Sequence, residues 1–179
     1  MLKIESTALD GVHILTLPYY TDIRGSFVKV FHQGDFKERG LATNFSEQFV
    51  TVSQKNVLRG MHFQMPPHEH VKLVTCVAGE ILDVILDLRR DQPTYGKSIT
   101  VKLDATQGLA IYIPKGCAHG FLTISPDALT LYNVTSVHAP SSDSGLHWQS
   151  IGFDWPVGDP IISDRDKNLP SLHDFKSPF

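Results

Sequence analysis

The chain has 179 residues, 41% of them apolar, and a formal net charge of −3. That length supports one domain with a real core and is short for two, and the apolar fraction excludes wholesale disorder. The mild negative charge gives no general attraction to nucleic acid or to an anionic membrane surface, so any anion site must be local.

Taken in order, the N-terminus (MLKIESTALDG) has no signal-peptide core, and no later run approaches the ~20 apolar residues that span a bilayer. Residues 11–17 (GVHILTL) read as a strand, and residues 19–25 (YYTDIRG) as a turn-like segment. Residues 26–31 (SFVKVF) follow as an edge strand, with Phe27, Lys29 and Phe31 on one face. Residues 32–45 are polar and hold a short helix ended by Gly40. Residues 47–53 (EQFVTVS) are a further strand. The central stretch, residues 58–88, opens with Arg59, Gly60 and His62 and passes Pro66-Pro67. It then enters apolar runs broken at Ala78-Gly79. Arg59, His62, His68, His70 and Lys72 crowd together beside segments that otherwise read as buried strand, which points to one wall of a catalytic pocket. Residues 98–103, 108–114, 120–124 and 128–135 complete a series of short strands between Gly, Pro and Asp turns. This spacing predicts an all-β fold, an antiparallel barrel or sandwich, with no long helix. The tail from residue 141 reads as ordered loop and short helix laid over the barrel end. The whole chain, 1–179, reads as a single domain. Cys76 and Cys117 sit in apolar contexts, as small buried thiols of a cytoplasmic protein do.

Residues 108–119 carry Gly108, Pro114, Gly116 and His119 at spacings that resemble the second signature of the cupin superfamily, implying a jelly-roll barrel. His68-Glu69-His70 resembles part of the first signature, but Val74 and Thr75 stand where its carboxylate ligand belongs. Three imidazoles, His68, His70 and His119, could still hold a metal, which keeps a metal-dependent cupin enzyme open as an alternative.

A narrower set of motifs runs collinearly through nearly the whole chain: RGMHFQMPP, KLVTCVAGEILDVILDLR, PTYGK, IPKGCAHGF, Tyr132, a Trp-Pro pair and SDRD. Together they resemble the dTDP-4-dehydrorhamnose 3,5-epimerases, metal-free cupins acting on nucleotide-linked 4-keto-6-deoxy sugars. The resemblance implies an isomerase without cofactor or metal, working in deoxysugar and cell-surface polysaccharide biosynthesis. It also implies a homodimer with exchanged N-terminal strands.

The chemistry fits the residues. A C–H beside a ketone can be removed by a placed base if the enolate is stabilised. His62 suits the base. By resemblance Asp166 orients it, with Asp164 as the competing choice, and Tyr132 donates a proton on the opposite face. Lys72 steadies the oxyanion. Arg24 and Phe27 of the DIRG segment, with Arg59, Lys72 and His119, would hold the substrate; arginine suits a diphosphate because its fork binds oxygens bidentately. Asp83 and Asp87 alternate with apolar residues and read as structural, paired with Arg89 or a turn amide.

The chain departs from the family pattern at Lys29, Glu47 and Phe49, positions near the nucleotide, so CDP- and GDP-linked substrates stay open beside dTDP. Val137-His138 replaces two aromatics, which leaves open an enzyme that inverts one carbon, C3 or C5. A non-catalytic sugar-nucleotide binding module would need no opposed base and acid.

Overall fold

The computed structural model describes residues 1–179. Its strands, in chain order, are β1 (Lys3–Ser6), β2 (His13–Thr16), β3 (Tyr19–Asp22), β4 (Gly25–Val28), β5 (Glu47–Gln54), β6 (Leu58–Gln64) and β7 (Lys72–Ala78). There follow β8 (Glu80–Asp87), β9 (Ser98–Asp104), β10 (Leu109–Ile113), β11 (Cys117–Thr123), β12 (Asp127–Val134) and β13 (Asp143–Gly145). Helices are short: α1 (Gln33–Glu38), a 3-10 turn (Trp148–Ile151) and α2 (Asp164–Lys167).

Two antiparallel sheets carry the fold. One runs β1-β2-β10-β7-β12-β5, the other β13-β6-β11-β8-β9, and β3-β4 forms a separate hairpin. From β5 to β13 the chain changes sheet at every step except β8 to β9, the crossing pattern of a jelly roll. Gly79 makes one crossing possible. It sits at φ +76°, and a Cβ there would lie 2.1 Å from the carbonyl oxygen of Asp127, so only glycine fits the corner.

Three apolar clusters explain why β7 and β8 read as near-continuous apolar runs: their strands are covered on both faces. Between the sheets lie Val74, Cys76, Ile81, Ile85, Phe121 and Tyr132 among others. Outside the second sheet, Leu58, Met61, Phe63, Val84 and Leu86 pack under Trp148, Ile151 and Trp155 of the tail. Outside the first sheet, Leu15, Leu73, Ala110 and Tyr112 pack with Phe36 of α1. The tail is thus laid over the barrel, on the outer face of the second sheet instead of the barrel end that the sequence reading expects.

The N-terminal region differs from the sequence reading. Residues 19–22 form β3 instead of a turn, and only residues 23–24 reverse the chain. The strand expected over residues 26–31 stops at Val28. Beyond it Phe31 turns back onto Phe36 and Phe45, with ring centroids 5.0 and 5.2 Å apart, so it is no exposed edge residue. Burying that ring outweighs continuing a two-stranded ribbon. β1 (KIES) gave no periodic signal because its residues are mostly exposed and polar.

Candidate active site

A cavity of about 330 Å³ opens between the two sheets. Strand alternation decides what enters it. In β6, Met61 and Phe63 face the outer cluster, so His62 faces inward. In β7, Leu73 faces outward and Val74 inward, which turns Lys72 toward the cavity. His119 stands directly opposite His62 across the β6–β11 pair, and both imidazoles line the cavity from the second sheet. From the first sheet come Lys72, Tyr132, Phe49 and Thr51. The two strands β6 and β11 approach unusually closely where Gly60 meets Gly120. A Cβ on Gly60, which has φ +119°, would stand 2.5 Å from the Gly120 Cα.

The tail completes His62. The backbone of residue 161 bonds to both Asn56 and Leu58, with Ile161 N–H donating to Asn56 O at 2.9 Å and Leu58 N–H to Ile161 O at 3.0 Å. That anchor sets α2 beside β6. Ser163 caps α2 by accepting from the Asp166 amide at 3.1 Å, and the buried Asp166 carboxylate meets His62 Nε2 at 2.8 Å. Its other oxygen accepts the Gly60 N–H at 3.1 Å. Burial alone would raise the Asp166 pKa; hydrogen bonds from His62, Gly60 and Ser163 outweigh it and hold the carboxyl below its usual range. An ionised carboxylate only accepts, so Nε2 carries the ring proton and Nδ1 presents its lone pair. Asp164, the competing choice, is 96% exposed on its side chain and pairs with Lys167 instead.

A second histidine–carboxylate pair lies deeper. His119 Nε2 meets Asp83 Oδ1 at 2.9 Å, both residues buried. Sequence reasoning placed Asp83 with Asp87 as structural partners of Arg89. Asp87 does bind Arg89, at 2.9 and 2.8 Å, and Thr94 at 2.6 Å. Asp83 does not: it points between the sheets, and the available signal was its place in an otherwise apolar strand, ILDVILDL.

Lys72 reaches from the first sheet to the second, its Nζ donating to the His62 carbonyl at 3.0 Å. Burial lowers its pKa from 10.5 to about 8. Tyr132 is buried, its ring stacked on Phe49 at 4.6 Å and inclined to His119 at a centroid distance of 5.9 Å. Burial, helped by the charge of Asp83, raises the phenol's pKa well above its ordinary value. Arg59 lines the cavity and donates from Nε to Ser53 Oγ at 3.0 Å. Arg165, which the sequence reading passed over although it lies inside SDRD, also lines the cavity and pairs with Asp143 at 2.9 Å.

Two sets of predicted residues do not behave as expected. Arg24 and Phe27 lie on the exposed β3-β4 hairpin, outside the cavity walls of the same chain, with Arg24 bonded to Asp22. The proposed ligand trio His68, His70 and His119 does not assemble, and no three His, Cys, Asp or Glu side chains converge as a metal set. His68 turns to Ser142 at 3.0 Å, while His70 lines the cavity and meets Ser136 at 3.2 Å.

Comparison with known proteins agrees with this architecture. A family described as dTDP-4-dehydrorhamnose 3,5-epimerase matches residues 6–174. The dTDP-4-dehydrorhamnose 3,5-epimerase of Methanothermobacter thermautotrophicus is 40% identical over 177 residues, spanning 96% of this chain and 95% of its own. That of Salmonella typhimurium is 38% identical, spanning 96% of each chain. A Legionella pneumophila dTDP-6-deoxy-D-glucose-3,5-epimerase, solved in complex with dTDP-4-keto-L-rhamnose, superposes with a TM-score of 0.93 at 33% identity. The match covers 98% of this chain and 95% of that one. Fold and length thus agree over nearly the whole polypeptide, and the chain belongs to the dTDP-4-dehydrorhamnose 3,5-epimerase family.

Proposed function

We propose that this chain inverts C3 and C5 of a nucleotide-linked 4-keto-6-deoxyhexose, of the dTDP-4-dehydro-6-deoxyglucose type, by proton removal and return beside the ketone. The observation that carries this reading is the placement of His62 and Tyr132 on facing sheets of one cavity, with the Lys72 ammonium reaching between them. His62 Nδ1 takes the C–H proton, and the C–H electron pair moves into the carbonyl to form an enolate. The ion pair with Asp166 stabilises the imidazolium that results. Lys72 faces the developing oxyanion, where a desolvated cation acts strongly. Tyr132 then donates its O–H proton to the opposite face of the carbon; its raised pKa keeps it protonated until that moment. Solvent reprotonates the phenolate and deprotonates His62 before the second carbon is treated in the same way.

Arg59, Arg165 and His119 supply cationic and hydrogen-bonding partners for the diphosphate and sugar. Arg24 and Phe27 would serve the cavity of a second copy in a homodimer with exchanged N-terminal strands. The exposed Tyr20, Ile23 and Phe27 on that hairpin support such a partner. The compartment proposed is the cytoplasm, in keeping with two buried free thiols.

Proton NMR in heavy water tests the reading with dTDP-, CDP- and GDP-linked 4-keto-6-deoxyhexoses. Deuterium is expected at both C3 and C5 of the dTDP sugar, with inverted product, in the presence of chelator. Exchange at one carbon alone, or activity only with added metal, would overturn it.

A further inference from the structure

Tyr132 has two aromatic neighbours, and one of them stacks on its ring. Phe49 stands directly opposite it in the β5–β12 register, and the two rings lie 4.6 Å apart with only 12° between their planes. The His119 ring is the other aromatic neighbour, its centroid 5.9 Å away and its plane inclined at 67°. Thr51 is the polar neighbour that eases the phenol's pKa rise, and a single rotating hydroxyl does not fix a ring plane. Phe49 itself lies on edge strand β5, lines the cavity and is 39% exposed. A core role alone would have buried so large an apolar ring.

We propose that Phe49 is a positioning residue for Tyr132: it presses the phenol against His119 and so fixes the height at which the proton is delivered. This inference rests on the roles given above to His62 and Tyr132. Without the stack, His62 still removes the C–H proton and its imidazolium exchanges with solvent. The misplaced phenol, however, misses the opposite face, and the proton returns where it came from. Exchange then outruns inversion.

The experiment compares, in heavy water with the dTDP-linked 4-keto-6-deoxyhexose, deuterium uptake at C3 and C5 with formation of inverted product. Phe49→Ala should lower inversion per exchange event roughly tenfold, equivalent to about 1.4 kcal/mol. Phe49→Leu, which keeps apolar bulk without a ring face, should do nearly the same. Phe49→Tyr, which restores stacking, should recover the wild-type ratio. Proportional loss of exchange and inversion in Phe49→Leu, or a wild-type ratio in it, would overturn the proposal. Tyr132→Phe should exchange without inverting; if it inverts normally, the assignment of Tyr132 fails, and the inference falls with it for that separate reason.

Discussion

The two shortest histidine–carboxylate pairs of the molecule are nearly equal in length, at 2.8 and 2.9 Å, and differ in almost everything else. In His62–Asp166 the imidazole is 29% exposed and its carboxylate arrives from the tail, 104 residues later. In His119–Asp83 the imidazole is 3% exposed, and donor and acceptor sit on adjacent strands of one sheet. The same contact therefore serves different ends. A base must reach substrate and exchange its proton, which the first arrangement permits. The second has no such access to solvent; it fixes a ring at the cavity wall and stiffens the barrel between its sheets. The lesson is that environment, not bond length, assigns the roles.

That contrast predicts a wide kinetic gap. His62→Ala should lower kcat by roughly 10²–10⁴-fold, with deuterium uptake lost at both carbons. His119→Ala should act mainly on KM. Asp166→Asn should follow His62→Ala at on the order of 10²-fold or more, since the amide no longer enforces the tautomer. Steady-state kinetics and NMR exchange on the three variants check this. Equal loss of exchange in His62→Ala and His119→Ala would erase the distinction.

Stability should rank the pairs the other way round. Asp83→Ala leaves a buried imidazole without its partner and should cost about 3–5 kcal/mol. Asp166→Asn, at a site that retains hydrogen-bonding capacity, should cost well under half of that. Urea unfolding followed by circular dichroism compares them directly.

The smallest effect sharpens the comparison through Lys72, which touches the His62 backbone from the facing sheet. Its pKa near 8 means that charge is lost as pH rises through 8, so kcat/KM should fall on that limb. Lys72→Arg should move the limb upward because a guanidinium stays protonated. The stability effect has the opposite sign. The folded pKa lies below the unfolded value of 10.5, so the unfolded chain binds more protons between pH 8 and 10.5. Lys72 therefore adds stability as pH climbs through that window, by up to roughly 3 kcal/mol relative to Lys72→Met. Unfolding of both proteins at pH 8 and pH 10 reads this out.

Much of this was legible in the residues. Short strands between turn residues disclosed the barrel, and collinear motifs pointed to His62, Lys72, Tyr132 and Asp166. What stayed hidden was pairing at a distance. Alternation puts Asp83 and Asp87 on one face of a strand that is apolar on both, and nothing in the local pattern says that an imidazole 36 positions later waits for Asp83. Arg165 was obscured by its neighbour Asp166, because a four-residue helix gives no periodicity from which to read a face. His68 and His70 misled for the converse reason. Their spacing suits a ligand pair, but they occupy a loop, where alternation carries no directional information. Phe31 likewise followed a strand pattern until an aromatic cluster offered a better burial.

The origin of Asp166 in the covering segment ties competence to a different event from barrel formation. A molecule whose segment beyond β13 has lifted from the second sheet would keep His62 and Tyr132 on their strands but leave the imidazole without its carboxylate, and is expected to be inert. On gentle heating, lifting of that cover under Trp148 and Trp155 should silence turnover before far-ultraviolet ellipticity changes. Turnover thereby reports on the docking of this cover as well as on the strands beneath it.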